Sequence, residues 1–158
     1  VTITSPTGGT LTTAVNIANT APGVPGQGPY AGQVVYAHSD GSQTVVNSAV
    51  LSSGNTFTPN PISLSGAGNQ VYLVLYGTGI RHAASVTATI AGVSIPIAYA
   101  GAQGTNAGLD QINLGPLPVS LAGAGLVNLI ITADGQAANT VTNHHRMNLP
   151  AGYWRVLR

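Results

Sequence analysis

Apolar residues in this chain come in short runs that alternate with polar ones, and the runs are separated by glycine, proline and Asp-Gly or Ala-Gly pairs. A period of two bounded by turn residues predicts strands rather than helices. One hairpin is predicted from Gln33 through Val34, Val35, Tyr36 and His38, turning at Ser39-Asp40-Gly41-Ser42 and returning along Thr44, Val45 and Val46. Asp-Gly supplies the positive φ that a tight hairpin needs. Val71-Tyr72-Leu73-Val74-Leu75-Tyr76 is apolar on both faces and ends at Gly77. It is expected to be an interior strand covered on both sides.

Val86, Ala88 and Ile90 alternate with Thr87 and Thr89, turn at Ala91-Gly92, and return as Val93, Ile95, Ile97 and Tyr99. A last hairpin pairs Val127, Leu129 and Ile131 with the Asn139 to Val141 segment around Ala133-Asp134-Gly135-Gln136. A polar loop, Gly101 to Gly108, leads into Leu109 to Leu114, and long loops at a sandwich end are where binding usually resides. Val1 to Thr4 and Leu11 to Ala18 are strand-like, whereas Ala21-Pro22-Gly23-Val24-Pro25-Gly26 reads as a linker. The expected fold is an all-β, immunoglobulin-like antiparallel sandwich over residues 26–142, with an extra N-terminal strand segment at 1–25 and an atypical tail at 143–158.

Composition narrows the partners. Only 4% of the 158 residues are charged, with no Lys and no Glu, and the formal net charge is +1. A polyanion is held by clustered Lys and Arg, so nucleic acid is not an expected partner. Nothing approaches the run of about 20 apolar residues that a membrane helix needs, so no membrane insertion is expected. There is no Cys, which excludes disulfides and thiolate metal sites. The bias towards Thr, Gly, Asn and Ala leans towards a secreted or cell-surface protein. Weak self-repulsion favours association, and N-terminal strands that complete a neighbour's sheet would make a homo-oligomer.

Several segments carry a family resemblance: Asp40 to Thr44 (DGSQT), Val71 to Arg81 (VYLVLYGTGIR), Val86 to Gly92 (VTATIAG), Tyr99 to Gly104 (YAGAQG), Ala107 to Leu114 (AGLDQINL) and Asp134 to Val141 (DGQAANTV). In these, the chain resembles a C-terminal immunoglobulin-like module of secreted acidobacterial proteins of the Solibacter type. The resemblance implies a sandwich at the end of a larger exported protein, with no established catalytic residues, and residues 1–25 resemble the closing strands of a preceding immunoglobulin-like domain. Two departures stand out. Ala124, Leu126 and Asn128 occupy positions where the family commonly has Arg, Glu and Asp. After Thr142 the family pattern continues with alternating Ile and Thr, but this chain reads Asn143-His144-His145-Arg146. Codons for Asn-His-His followed by a CGN Arg codon, read one base later, encode only Ile or Thr at three successive positions. Residues 143–158 are therefore expected to come from a shifted reading frame or an aberrant cloned end, with Trp154 in an unselected tail; the source DNA sequence checks this.

Candidate chemistry is sparse. The three acids are Asp40, Asp110 and Asp134, and two of them lie in Asp-Gly turns. Asp110, at the exit of the glycine-rich loop, is expected to accept backbone N–H bonds or to pair with Arg81 and so order the loop end. Arg81, His82, Gln103 and Asp110 are the candidate binding residues, with a carbohydrate or a protein as ligand. No catalytic, cofactor or metal site is expected, because adjacent His144 and His145 would face opposite ways on a strand. His38 reads as a solvent-facing strand residue. A Ser85, His82 and Asp110 triad lacks the nucleophile-elbow pattern. Exposed Tyr rings suit sugar stacking, and core packing is the alternative for whichever of Tyr72 and Tyr76 faces inward and for Tyr99 at a strand end. The expected function is a non-catalytic extracellular interaction or scaffold module; the alternatives are a hydrolase acting on carbohydrate or ester substrates and a self-assembling surface subunit.

Overall fold

The computed structural model describes residues 2–4, 6–12, 20–26, 28–52, 56–64 and 68–146. The first strands are β1 (Thr2–Thr4) and β2 (Thr10–Thr12), an antiparallel pair. Then come β3 (Gly32–Ala37) and β4 (Gln43–Asn47), a second pair, β5 (Ala49–Ser52), β6 (Thr56–Pro59) and the short β7 (Pro61–Ile62). They are followed by β8 (Gln70–Gly77), β9 (Val86–Ile90), β10 (Val93–Ile95), β11 (Ile97–Ala102) and β12 (Asp110–Leu114). The last are β13 (Gly125–Ala133), β14 (Gln136–Ala137) and β15 (Val141–His145). A single 3-10 turn, Val119–Leu121, is the one helical piece among the described residues.

Two sheets carry the fold. One has the order β10-β9-β13-β15-β7 with β14 on β13, and the other the order β11-β12-β8-β3-β4. All neighbours are antiparallel except β15 and β7. The β1–β2 and β5–β6 pairs are separate two-stranded sheets. The two large sheets pack face to face, so the molecule is an all-β sandwich. Leu73 and Leu75 of β8, Ile112 and Leu114 of β12, and Val34 of β3 meet Ile90 of β9 and Leu129 and Ile131 of β13 in one buried cluster.

The hairpins follow their local rules. His38 N donates to Ser42 O and Gly41 N to His38 O across the first turn, where Asp40 Oδ1 accepts from Ser42 N and Oγ. Ala91-Gly92 and Asp134-Gly135 each take positive φ at both positions, 50° and 79° in one and 49° and 79° in the other. These are the paired left-handed residues whose twist matches the flanking strands.

Four expectations need correction. The β8 strand lies inside its sheet, but Val71, Leu73 and Leu75 are buried while Tyr72, Val74 and Tyr76 stay half-exposed, so only one face is covered by core. The return strand after Ala91-Gly92 divides at Pro96: β10 stays with β9, whereas β11 crosses to the other sheet. Pro has no N–H for either ladder, which makes it a natural crossing point. In the last hairpin Leu129 lies opposite Val141 as expected, but Thr132 lies opposite Ala137 and Val127 opposite Asn143, so the pairing runs on beyond the Asn139 to Val141 segment. Finally, the Pro- and Gly-rich stretch expected to be a linker is docked: Val24 is buried, Gly23 exchanges backbone bonds with Thr78, and Asn139 bonds Val24 on both its N and its O. Residues 13–19, most of the second predicted strand, and residues 147–158, including Trp154, lie outside the described residues.

Candidate functional site

Asp110 opens β12 opposite Gly77 and Ala102, with its side chain turned inward and fully buried. Its Oδ2 accepts from Ile80 N at 2.7 Å and Arg81 N at 3.1 Å, and its Oδ1 accepts from Arg81 Nε. Arg81 Nη2 donates to Leu109 O at 2.7 Å. Burial alone would push the carboxyl up; bonds from the Ile80 amide and from Arg81 outweigh that and hold it below the usual carboxylate range. The pair fastens the turn after β8 to the start of β12.

Gln103 begins the adjoining loop. Its Oε1 accepts from Thr105 N and Asn106 N at 3.0 and 2.9 Å, and its own N donates to Leu109 O, so the loop folds around its amide. His82 is exposed, and no hydrogen bond joins it to Asp110, Gln103 or Ser85 among the described residues. Ser85 instead donates its N to Asp134 Oδ1 at 2.9 Å. The structure thus joins Arg81 to Asp110, leaves Gln103 and His82 beside them, and puts Ser85 in a different contact.

A second feature is a cavity of about 610 Å³, lined by Pro29, Tyr30, Asn47, Ser48, Phe57 and neighbouring residues. Its wall is apolar, and Ser48 Oγ is spent on Tyr30 O at 2.6 Å. Burial pushes the Tyr30 hydroxyl far up, so it stays neutral. No local sequence pattern marks this hollow, because its lining comes from the docked segment around Pro29 and from the β5–β6 pair.

The third is the outer face of the five-stranded sheet. Residues 72 and 76 share parity on β8, so both rings face out and neither enters the core; the tyrosines turned inward are Tyr30 and Tyr36. Pairing sets Gln111 beside Tyr76, Asn113 and Gln33 on either side of Val74, and Tyr99 beyond Asn113. The spacing of Tyr72 and Tyr76 was a readable signal for this face; the approach of Tyr99 depends on strand order and was not.

Comparison with family models, with curated proteins and with solved structures gave no match. No helix among the described residues is long and apolar enough to cross a membrane.

Proposed function

We propose that this chain is a non-catalytic interaction or scaffold module of an exported bacterial protein, an immunoglobulin-like sandwich that holds or positions a partner. The observation that carries the reading is the use already made of its three acids. Asp40 caps its own turn through Ser42, Asp134 accepts from Ser85 N, and Asp110 is bound by Ile80 and Arg81. Glycoside hydrolysis needs two carboxylates facing across a substrate, and a serine triad needs an acid orienting its His. Each acid here serves a turn or a loop end instead.

The chain path supports the immunoglobulin-like description. It runs through β8, crosses to β9 and β10, returns through β11 and β12, and crosses again to β13 and β15, with β7 parallel to β15 at the far edge. The exported, bacterial part of the reading rests on the resemblance and on the nearly uncharged, Thr- and Asn-rich composition. The test is a panel of chromogenic glycosides and esters offered to the parent protein, His82→Ala and Asp110→Asn. The parent is expected to give no turnover above buffer. Turnover that vanishes in a variant still folded by circular dichroism would overturn the reading in favour of a hydrolase.

A further inference from the structure

The outer face of the five-stranded sheet is ordered in rows. Tyr99, Asn113, Val74, Gln33 and Asn47 run across the middle, Tyr72, Val35 and Val45 lie on one side, and Gly101, Gln111 and Tyr76 on the other. Tyr72 and Tyr76 are about 14 Å apart along β8 at roughly 3.4 Å per residue, and Tyr99, two strand spacings across and two residues off from each, lies about 12 Å from both. Tyr99 is exposed on this face, and Tyr72, Val74 and Tyr76 are half-exposed.

Two of the rings are laid down over glycine. A Cβ on Gly101 would come within 2.9 Å of the Tyr99 Oη and 3.1 Å of its Cζ, so the ring rests on bare backbone. Its hydroxyl is tied to Ala102 O at 2.6 Å. A Cβ on Gly115 would come within 2.9 Å of Tyr72 Cδ1, and the Tyr72 hydroxyl donates to Gln70 Oε1 at 2.7 Å. Both rings are thus held at the hydroxyl, with Tyr99 43% exposed and Tyr72 half-exposed. Holding them there beforehand spares the ordering entropy that binding otherwise costs.

Between the rings lie amides. Gln111 Nε2 donates to Asn113 Oδ1 at 2.9 Å, which fixes both side chains and leaves a carbonyl on one and N–H groups on the other pointing away from that bond. The five strands carry a single charged residue, Asp110, and it faces inward. A pyranose presents a C–H face that packs on an aromatic ring and a rim of hydroxyls that both donate and accept. An acidic sugar or a polyanion would require cations, and this face has none.

We infer that this face is a binding platform for an uncharged polysaccharide, with Tyr72, Tyr76 and Tyr99 carrying sugar rings and Gln111, Asn113 and Gln33 bonding their hydroxyls. The inference rests on the non-catalytic reading above and gives it a ligand class.

Native affinity electrophoresis tests it, using gels containing xylan, hydroxyethyl cellulose, galactomannan or soluble starch, with polygalacturonate as the charged control. The parent is expected to be retarded by at least one neutral polysaccharide and not by polygalacturonate. Tyr99→Ala is expected to weaken that retention about tenfold, with Tyr72→Ala close behind. Gly101→Ala keeps every ring but lifts Tyr99 off the sheet at a position where alanine suits the backbone, so it is expected to weaken retention while the melting curve stays near the parent's. No retardation by any neutral polysaccharide, or equal retardation of the parent and the folded variants, overturns the platform and leaves the non-catalytic reading standing. A parent that binds only the charged polymer, or only a protein, overturns it equally. Release of reducing ends from a retained polysaccharide strikes instead at the non-catalytic reading, so the two failures are told apart in one set of samples.

Discussion

Asp110 shows what one side chain can decide. It is fully buried and accepts three bonds from Ile80 and Arg81, so deleting it strands a half-buried guanidinium and two amides at a loop end. Removing one partner of such a pair costs about 3 kcal/mol or more, and Asp110→Ala is expected to fall in that range by chemical denaturation. The pH dependence has a definite sign. The folded pKa lies below the ordinary value near 3.9, so the contribution is complete above that value and is lost as pH falls through the folded pKa. The variant should therefore lose part of the parent's acid sensitivity below about pH 4. A variant as stable as the parent at pH 7 would remove the pair from any account of the fold. This contact was legible because Asp110 is the one acid outside an Asp-Gly turn and Arg81 lies in a neighbouring loop. The inward turn of its carboxylate was not legible, because it depends on the register of β12 against β8.

Among elements, β15 is the odd one. Val141, Asn143 and His145 all face the core, yet among the described residues neither polar atom of the Asn143 amide nor either His145 ring nitrogen has a partner. Each such buried group costs about 1–3 kcal/mol. Burial and the neighbouring His144 push His145 down to about 4. Between pH 6.5 and 4 the unfolded chain takes up a proton that the folded chain refuses, so stability falls as pH drops through that window. The double variant Asn143→Ile, His145→Ile is expected to gain about 2–4 kcal/mol at pH 7 and to flatten the dependence between pH 6.5 and 4. Equal stability and an unchanged slope would count against it. The expected shifted frame offers Ile or Thr at 143, 144 and 145, and aliphatic residues at 143 and 145 are what the in, out, in burial of β15 suits. What the sequence shows of the other elements divides between local and distant contacts. Turns are local, so Asp40-Gly41, Ala91-Gly92 and Asp134-Gly135 were visible. The passage from β10 to β11 was not, because Val93, Ile95, Ile97 and Tyr99 keep an alternating pattern straight through a change of sheet.

At the scale of the whole molecule, the sandwich is closed by contacts between distant parts of the chain. Asn139 reaches across 115 residues to bond Val24 N at 2.9 Å and Val24 O at 2.7 Å, with a further bond to Gly26 O at 3.1 Å. Thr142 N donates to Gly28 O, Pro29 bridges Thr142 in parallel, and β7 continues along the same edge at His144 and His145. Residues 28–29 and β7 together cover backbone groups that an edge strand would otherwise offer to another chain. Composition made Ala21 to Gly26 read as a linker because Pro and Gly report local backbone preference, while the docking depends on a side chain far along the sequence. If that side chain is what holds the segment, Asn139→Ala should cost about 2–3 kcal/mol, since three bonds go and two backbone groups of buried Val24 lose their partner. It should also open the chain near residues 20–29 to limited proteolysis. Asn60→Ala, which removes one exposed bond to Asn47 O, is the control and should change neither measure appreciably. Equal protease resistance of parent and Asn139→Ala would show that packing of Val24 and the Gly23–Thr78 bonds hold the segment without it, and the closure would then be apolar rather than polar in origin.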